Sequence, residues 1–330
     1  MAAAEVLNTS AIPNLGADVS GYLPKLRSNH GHYVASSSTG WMRPTPSDTP
    51  IDEMRKRFRD EGYVWIKHVI PREVVYDMRE HYFSQFAHTG MLAPHTSPRD
   101  GIFNPSSDPT SHQGIGGVPV DSTNALLDAV HADPTYRSFL AHPSLRAFIR
   151  QFTGWEQERI VDRAMLRHNC PGSQSTGIHY DQYFLRDGDD EFLTAWVPIG
   201  DCAATGGGLM YLENSTSLGR DLESAFLKKA EHLPKQERID AFNQYMAKDG
   251  FMSHDAVEFQ AIHRENVGRW LVGDYEAGDV VFHNPWMVHA ATKNEDALGR
   301  IRLASDLRFY EEGAKLDPRW MKIWTHDDGL

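Results

Sequence analysis

The chain has 330 residues, enough for a large core, and its 33 basic against 45 acidic side chains give a net charge of -12. Phosphate binding needs a basic surface, so this balance argues against nucleic acid or an anionic membrane as a partner and favours small-molecule chemistry. The two cysteines, Cys170 and Cys202, imply no disulfide framework, and no apolar run, secretion signal or peroxisomal C-terminus is seen, so a soluble, cytoplasmic protein is expected.

Residues 1–47 scatter Gly, Pro and Ser with few apolar repeats and read as an irregular N-terminal arm, with Tyr22, Tyr33 and Trp41 placed to contact a second subunit of a homodimer. Residues 48–330 then read as a single catalytic domain. Thr49 is expected to cap a helix with Pro50 at its first position, which carries Ile51, Met54 and Phe58 at helical spacing and stops at Gly62. Tyr63 to Lys67 is a strand, and Pro71 opens a second helix to about Phe86. From Ala87 to Val120 the chain is dense in Gly, Pro, Ser and His, the composition of a lid or a disordered loop. His88, His95 and His112 lie there, but none has a second ligand at strand or helix spacing, so no metal site is expected among them. Helices return over about 122–131, 134–141 and 143–153.

The half from Ile160 onward is β-rich, with short strands between turn signals, which indicates a sandwich or barrel. Strands are expected at 160–168, 177–184, 192–199, 207–212, 279–283, 287–292 and 301–309. About eight such strands can form a jelly roll whose mouth holds a metal. A charged helical insert interrupts them at about 218–270, with Leu222, Phe226 and Lys229, then Ile239, Phe242 and Met246, on its apolar stripes. It reads either as a packed peripheral helix pair or, preferably, as a cover over the mouth.

The chemistry concentrates in His179-Tyr180-Asp181. Residues two apart on a strand project from one face, so His179 and Asp181 can offer an imidazole nitrogen and a carboxylate oxygen to one point. Gly278-Asp279 to His289 supplies a third ligand, His289. Two histidines and a carboxylate leave metal positions open, as non-haem Fe(II) oxygenases require. On the last strand Arg302, Asp306 and Arg308 share one face. A buried arginine must be paired, and its fork suits a carboxylate bidentately, either Asp306 or one from a ligand.

These features together resemble the phytanoyl-CoA dioxygenase family of Fe(II)- and 2-oxoglutarate-dependent oxygenases, over roughly Ile51 to Tyr310. The resemblance rests on Phe58-x-x-x-Gly62-Tyr63, Met165-Leu166 before a Pro-Gly turn, His179-x-Asp181, Ala195-Trp196 and Gly207-Gly208-Leu209. Gly278-Asp279 before His289, and Arg302 seven residues before Phe309, complete it. It implies an α+β fold: a double-stranded β-helix (jelly-roll, cupin-like) core with flanking helices and a helical lid insert. It implies His179, Asp181 and His289 as iron ligands, Arg302 on the distal carboxylate of 2-oxoglutarate with Arg300 as the alternative, and Trp196 and Met165 lining the co-substrate pocket. Two departures stand out. Glu213-Asn214-Ser215-Thr216-Ser217 replaces the Pro-Gly-Ser-His of many relatives, and the His289-to-Arg302 spacing is longer than usual.

The resemblance further implies that O₂ and 2-oxoglutarate are consumed with release of succinate, and that an unactivated C–H bond is oxidised. Asp181 favours hydroxylation, desaturation or ring formation over halogenation. The aromatic-rich barrel and acidic surface suit a hydrophobic small molecule from natural-product biosynthesis. An acyl-CoA ester is the alternative, and it is disfavoured because the basic residues of the insert alternate with acids. A zinc hydrolase, a metal-free binding module and a structural protein remain rival classes.

Overall fold

A computed structural model describes residues 23–115, 121–240 and 250–329. The strands are β1 Thr39–Trp41, β2 Pro44–Thr45, β3 Tyr63–Ile66, β4 Glu158–Ile160, β5 Met165–Asn169, β6 Leu193–Pro198, β7 Leu209–Leu212, β8 Trp270–Val272, β9 Val280–His283, β10 His289–Ala291 and β11 Arg302–Glu311. They form a larger sheet in the order β2-β3-β9-β6-β11-β4, with β5 also on β11, and a smaller sheet in the order β1-β8-β7-β10.

Opposite the large sheet, Ile178 and His179 bridge to Ser253 and to His289 of β10. The chain therefore passes from β5 in the large sheet to 178–179 beside the small one and back to β6. It then runs through β7 and β8, returns to β9, crosses to β10 and ends in β11. This alternation between two facing sheets is the jelly roll expected from the short strands. Trp65, Trp196, Tyr211, Leu271, Tyr275 and Val281 form one buried cluster that draws on both sheets. Each strand supplies alternate residues to this interior, which is why a polar residue in register there faces the site and not solvent.

Helices α1 (Ile51–Glu61), α2 (Arg72–Gln85), α3 (Asp121–Ala132), α4 (Pro134–Leu140) and α5 (Pro143–Thr153) belong to the flank of the large sheet. Phe148 and Phe152 of α5 stack on Phe282 of β9 at 5.1 and 5.8 Å between ring centroids, and Phe58 of α1 meets Phe152 edge-on. Tyr136 of α4 reaches the hydroxyl of Ser305 on β11 at 2.6 Å. A single cluster of buried apolar side chains, from Leu26 to Trp324, joins these helices to the strands. No helix among the described residues is long and apolar enough to cross a membrane.

The structure departs from the sequence expectations in four places. The end of the N-terminal arm is not irregular: β1 pairs in parallel with β8 and β2 with β3. Trp41 thus lies in the protein's own sheet, Tyr33 contacts Glu295 and Arg27 of the same chain, and Tyr22 falls outside the described residues. Segment 177–184 is no continuous strand, because Asp181–Tyr183 turns into a 3₁₀ helix. The described part of the 87–120 segment is tied down, with the Phe103 N–H on the Gly299 carbonyl and the Ile301 N–H on that of Gly101. Thr49 does not cap α1; Pro50 holds that position without a side-chain cap. The insert contains α6 (Thr216–Lys229), α7 (Lys235–Asp240) and α8 (Ala256–His263), while Phe242 and Met246 fall outside the described residues.

Candidate metal centre

His179 and His289 lie on neighbouring segments of the small sheet, joined by reciprocal backbone bonds of 3.0 and 2.9 Å. This pairing sets their rings 4.3 Å apart between centroids. Asp181 follows at the first residue of the 3₁₀ turn, which swings its carboxylate towards the large sheet. One ligand atom from each of His179, Asp181 and His289 lies within 4.8 Å of the others, and all three residues are buried. The fold thus brings together His179 and Asp181, singled out by strand spacing, and His289, taken from the segment after Gly278-Asp279, although Asp181 sits on a turn and not on a strand.

The tautomers suit a cation. Nδ1 of His179 donates to the Gly177 carbonyl and Nδ1 of His289 to that of Met287, both at 2.9 Å. Each Nε2 is then left as a lone-pair donor, and a second bond of this kind orients a metal-binding imidazole. Burial, reinforced by the neighbouring histidine, depresses both pKa values, that of His289 to about 4, so both rings are neutral at pH 7. Burial also works to raise the pKa of Asp181. The Arg308 guanidinium and His283 outweigh it and hold the carboxyl well below its usual range. Two neutral imidazoles and one carboxylate, preset around one point, fit a divalent iron.

Sequence reasoning missed the groups that grip Asp181. Thr194 of β6 donates its hydroxyl to Oδ2, His283 Nε2 of β9 lies 3.2 Å from Oδ2, and Arg308 Nη2 of β11 lies 2.7 Å from Oδ1. The alternation of β11 placed Arg308 on the inner face, but not its partner across the sheets. The Tyr211 hydroxyl stands 3.2 Å from Nδ1 of the same His283. A second cluster, His68, Glu276 and Asp279, is bridged by Lys67, whose Nζ lies 2.6 Å from both carboxylates. It already holds its cation.

Arg302 is buried opposite Asn169 of β5. Its Nε donates to the Gly207 carbonyl at 2.9 Å and its Nη1 to that of Arg167 at 3.2 Å. Gly207, at a φ of +82°, has no room for a Cβ, which would lie 2.9 Å from the Asn169 oxygen. Among the described residues no carboxylate pairs with Arg302. The expected alternative partner, Asp306, is taken by Arg167 at 2.9 Å. Arg300 is instead forked onto Asp296 at 3.0 and 2.7 Å. Trp196 and Met165 lie opposite Asp306 on the two strands that flank it, so they share the inner face with Arg302.

The family model of phytanoyl-CoA dioxygenase (PhyH) matches residues 58–300, most of the chain. The protein belongs to the phytanoyl-CoA dioxygenase family. It is a non-haem enzyme that uses Fe(II), 2-oxoglutarate and O₂. Among solved structures it resembles the non-haem alpha-ketoglutarate-dependent carbocyclase SnoK of nogalamycin biosynthesis, with 18% identity over 84% of this chain and 90% of that one and a TM-score of 0.51. The epimerase SnoN, in complex with Fe³⁺, alpha-ketoglutarate and nogalamycin RO, aligns at 18% identity over 81% and 86% with a TM-score of 0.49. No curated protein sequence matches the chain.

Proposed function

We propose that His179, Asp181 and His289 hold the iron, that Arg302 anchors the distal carboxylate of 2-oxoglutarate, and that Trp196 and Met165 line the path between them. The reaction proposed is oxidation of a C–H bond in a hydrophobic small molecule, by hydroxylation or by desaturation or ring formation. When bound, the iron activates O₂ against 2-oxoglutarate, which leaves as succinate and CO₂ while the substrate is oxidised.

The observation that carries this reading is the convergence of two Nε2 lone pairs and one ionised carboxylate on a buried point. The chain's own part is to hold these groups and to keep water from the site. A buried guanidinium without a carboxylate partner supports the role of Arg302, because such a charge is costly to leave unpaired. Arg300 is already neutralised by Asp296.

Around His179 the rings of Phe184 and Phe251 lie at 5.4 and 5.5 Å, and His254 packs on Phe251 at 5.4 Å. Such a wall favours a flat, apolar ligand. A natural-product substrate agrees with the role of SnoK, a carbocyclase of nogalamycin biosynthesis. Three cations that could receive the phosphates of coenzyme A are paired with acids of the chain itself: Arg99 with Glu73 and Asp77, Arg186 with Glu223, and Lys235 with Asp187. We therefore place an acyl-CoA ester second, and expect no nucleic acid or membrane partner.

The test is O₂-dependent formation of succinate by the iron-loaded enzyme, across free lipophilic acids, polyketides and terpenoids beside their CoA esters. Stimulation by free compounds is expected. Stimulation by CoA esters alone, suppressed by raising salt, would move the assignment to the acyl-CoA reading.

A further inference from the structure

A carboxylate has about four lone-pair sites, two on each oxygen. In Asp181 the donors around these sites can be counted. Oδ2 accepts from the Thr194 hydroxyl and faces Nε2 of His283 at 3.2 Å. Nδ1 of His283 is engaged by the Tyr211 hydroxyl at 3.2 Å. With Tyr211 as donor to Nδ1, the His283 proton resides on Nε2 and points at Oδ2. Oδ1 accepts from Arg308 Nη2 at 2.7 Å and lies 3.9 Å from Nε2 of His179. Three of the four sites are therefore filled by protein donors. The remaining one is on Oδ1, the oxygen that faces Nε2 of His179.

We propose that Thr194, His283 and Arg308 form a clamp that makes Asp181 a one-oxygen metal ligand, with Arg308 as the positioning residue on the ligating oxygen. This rests on the assignment of Asp181 as a ligand. Among the described residues Arg308 makes no other side-chain hydrogen bond. Its Nε and Nη1 are buried there without a hydrogen-bond partner, and its guanidinium also lies over the face of Trp320 at 5.1 Å. An arginine kept only to pin strands together would spend its fork on several carbonyls, as buried Arg79 does on those of Arg99, Asp100, Ile199 and Ile301. Arg308 spends it on Asp181 alone. The clamp also draws one member from each of β6, β9 and β11, so the large sheet sets the carboxylate plane while the small sheet sets both imidazoles.

The experiment is an anaerobic titration with Co(II), whose d–d absorption reports both affinity and coordination number without turnover. Loss of a residue that orients a metal ligand typically costs 10–100-fold in affinity. Arg308→Met should therefore bind Co(II) at least about 10-fold more weakly and with an altered spectrum, as Oδ1 regains a free lone pair and the carboxylate rotates. Arg308→Lys, which keeps one donor to Oδ1, should restore most of the affinity. Parent affinity and spectrum in Arg308→Met, or tighter binding from relief of charge repulsion alone, overturns the proposal. Should that variant not fold, Thr194→Val frees a lone pair on Oδ2 without stranding a charge and must shift the same spectrum; no shift overturns the clamp. The parent and Asp181→Ala belong in the same titration. Equal cobalt binding by those two would remove Asp181 as a ligand, a different failure from that of Arg308.

Discussion

The Arg302 guanidinium donates from Nε to the Gly207 carbonyl at 2.9 Å, so the last strand and the triple-glycine turn before β7 meet at one buried cation. Burial pushes the pKa of this guanidinium down, although it remains charged, and neither of its carbonyl partners neutralises it. A bidentate carboxylate would. Removing one partner of such a contact typically costs about 2–5 kcal/mol, so Arg302→Leu should weaken 2-oxoglutarate binding by roughly 30-fold or more. Arg300→Leu should change it little, because that side chain is committed to Asp296. Anaerobic titration of 2-oxoglutarate into the iron-loaded variants decides between them, and the reverse ranking would shift the anchor by two residues.

Acid should destabilise the protein well above the carboxylate range. His131 donates from Nδ1 to the Leu127 carbonyl and accepts the Leu166 N–H at Nε2, and His168 donates to the His112 carbonyl and accepts the Tyr82 hydroxyl. Both rings are thus locked neutral, and burial depresses each pKa to about 4. The unfolded chain, with histidines near 6.5, takes up these protons first, so folding stability is intact above about pH 6.5 and falls as the pH drops towards 4. Each ring contributes about 3 kcal/mol to that loss by the bottom of the window. Urea unfolding across this range should show the decline in the parent and a shallower one in His131→Gln. An equal slope in both would remove His131 from the effect.

The candidate ligand set is legible in the sequence because its signal is local: His179 and Asp181 stand two apart, and His289 follows a strand that begins at Asp279-Val280. Alternation likewise places Arg302 and Arg308 on the inner face of β11. Which acid each arginine meets depends on the packing of two sheets, and that does not show in a single strand. Asp306 therefore pairs with Arg167, and Arg308 with Asp181, although β11 alone suggests a contact within the strand. The short strands β1 and β2 are hidden for another reason. They lie among Ser, Gly and Pro, and they are held by their parallel partners β8 and β3. Local propensity is a weak guide to such strands because pairing supplies the stabilisation.

Helix α6 is fitted to the turn that leads into His289. A Cβ on Gly219 would lie 2.1 Å from the Trp286 carbonyl oxygen, and the Val288 N–H is held by the Ser215 hydroxyl just before the helix. Gly219→Ala must therefore push the helix off this turn, at a typical overpacking cost of about 1–3 kcal/mol. Because the turn positions His289, metal retention should fall along with thermal stability. Gly90→Ala, at a glycine with open space around its Cβ position, is the comparison, with a cost confined to its left-handed backbone. A Gly219→Ala protein that is less stable but retains metal like the parent would uncouple the turn from the site.

Asp181 and Arg308 are both buried, at 0% and 4% side-chain exposure, and each is the other's ion-pair partner. Breaking a buried pair from one side strands the remaining charge, which typically costs about 3–5 kcal/mol, whereas replacing both members with apolar groups is often neutral. In metal-free protein Asp181→Ala should therefore be destabilised by about this amount, and Asp181→Ala/Arg308→Met should regain most of it. Thr194 and His283 would lose an acceptor in both variants, so their contribution cancels in the comparison. Denaturant unfolding of the four chelator-treated proteins, parent, two single variants and the double, gives the coupling energy directly. A coupling near zero would mean that the two groups do not stabilise one another in solution, and that the clamp on the metal ligand must be loose before iron arrives.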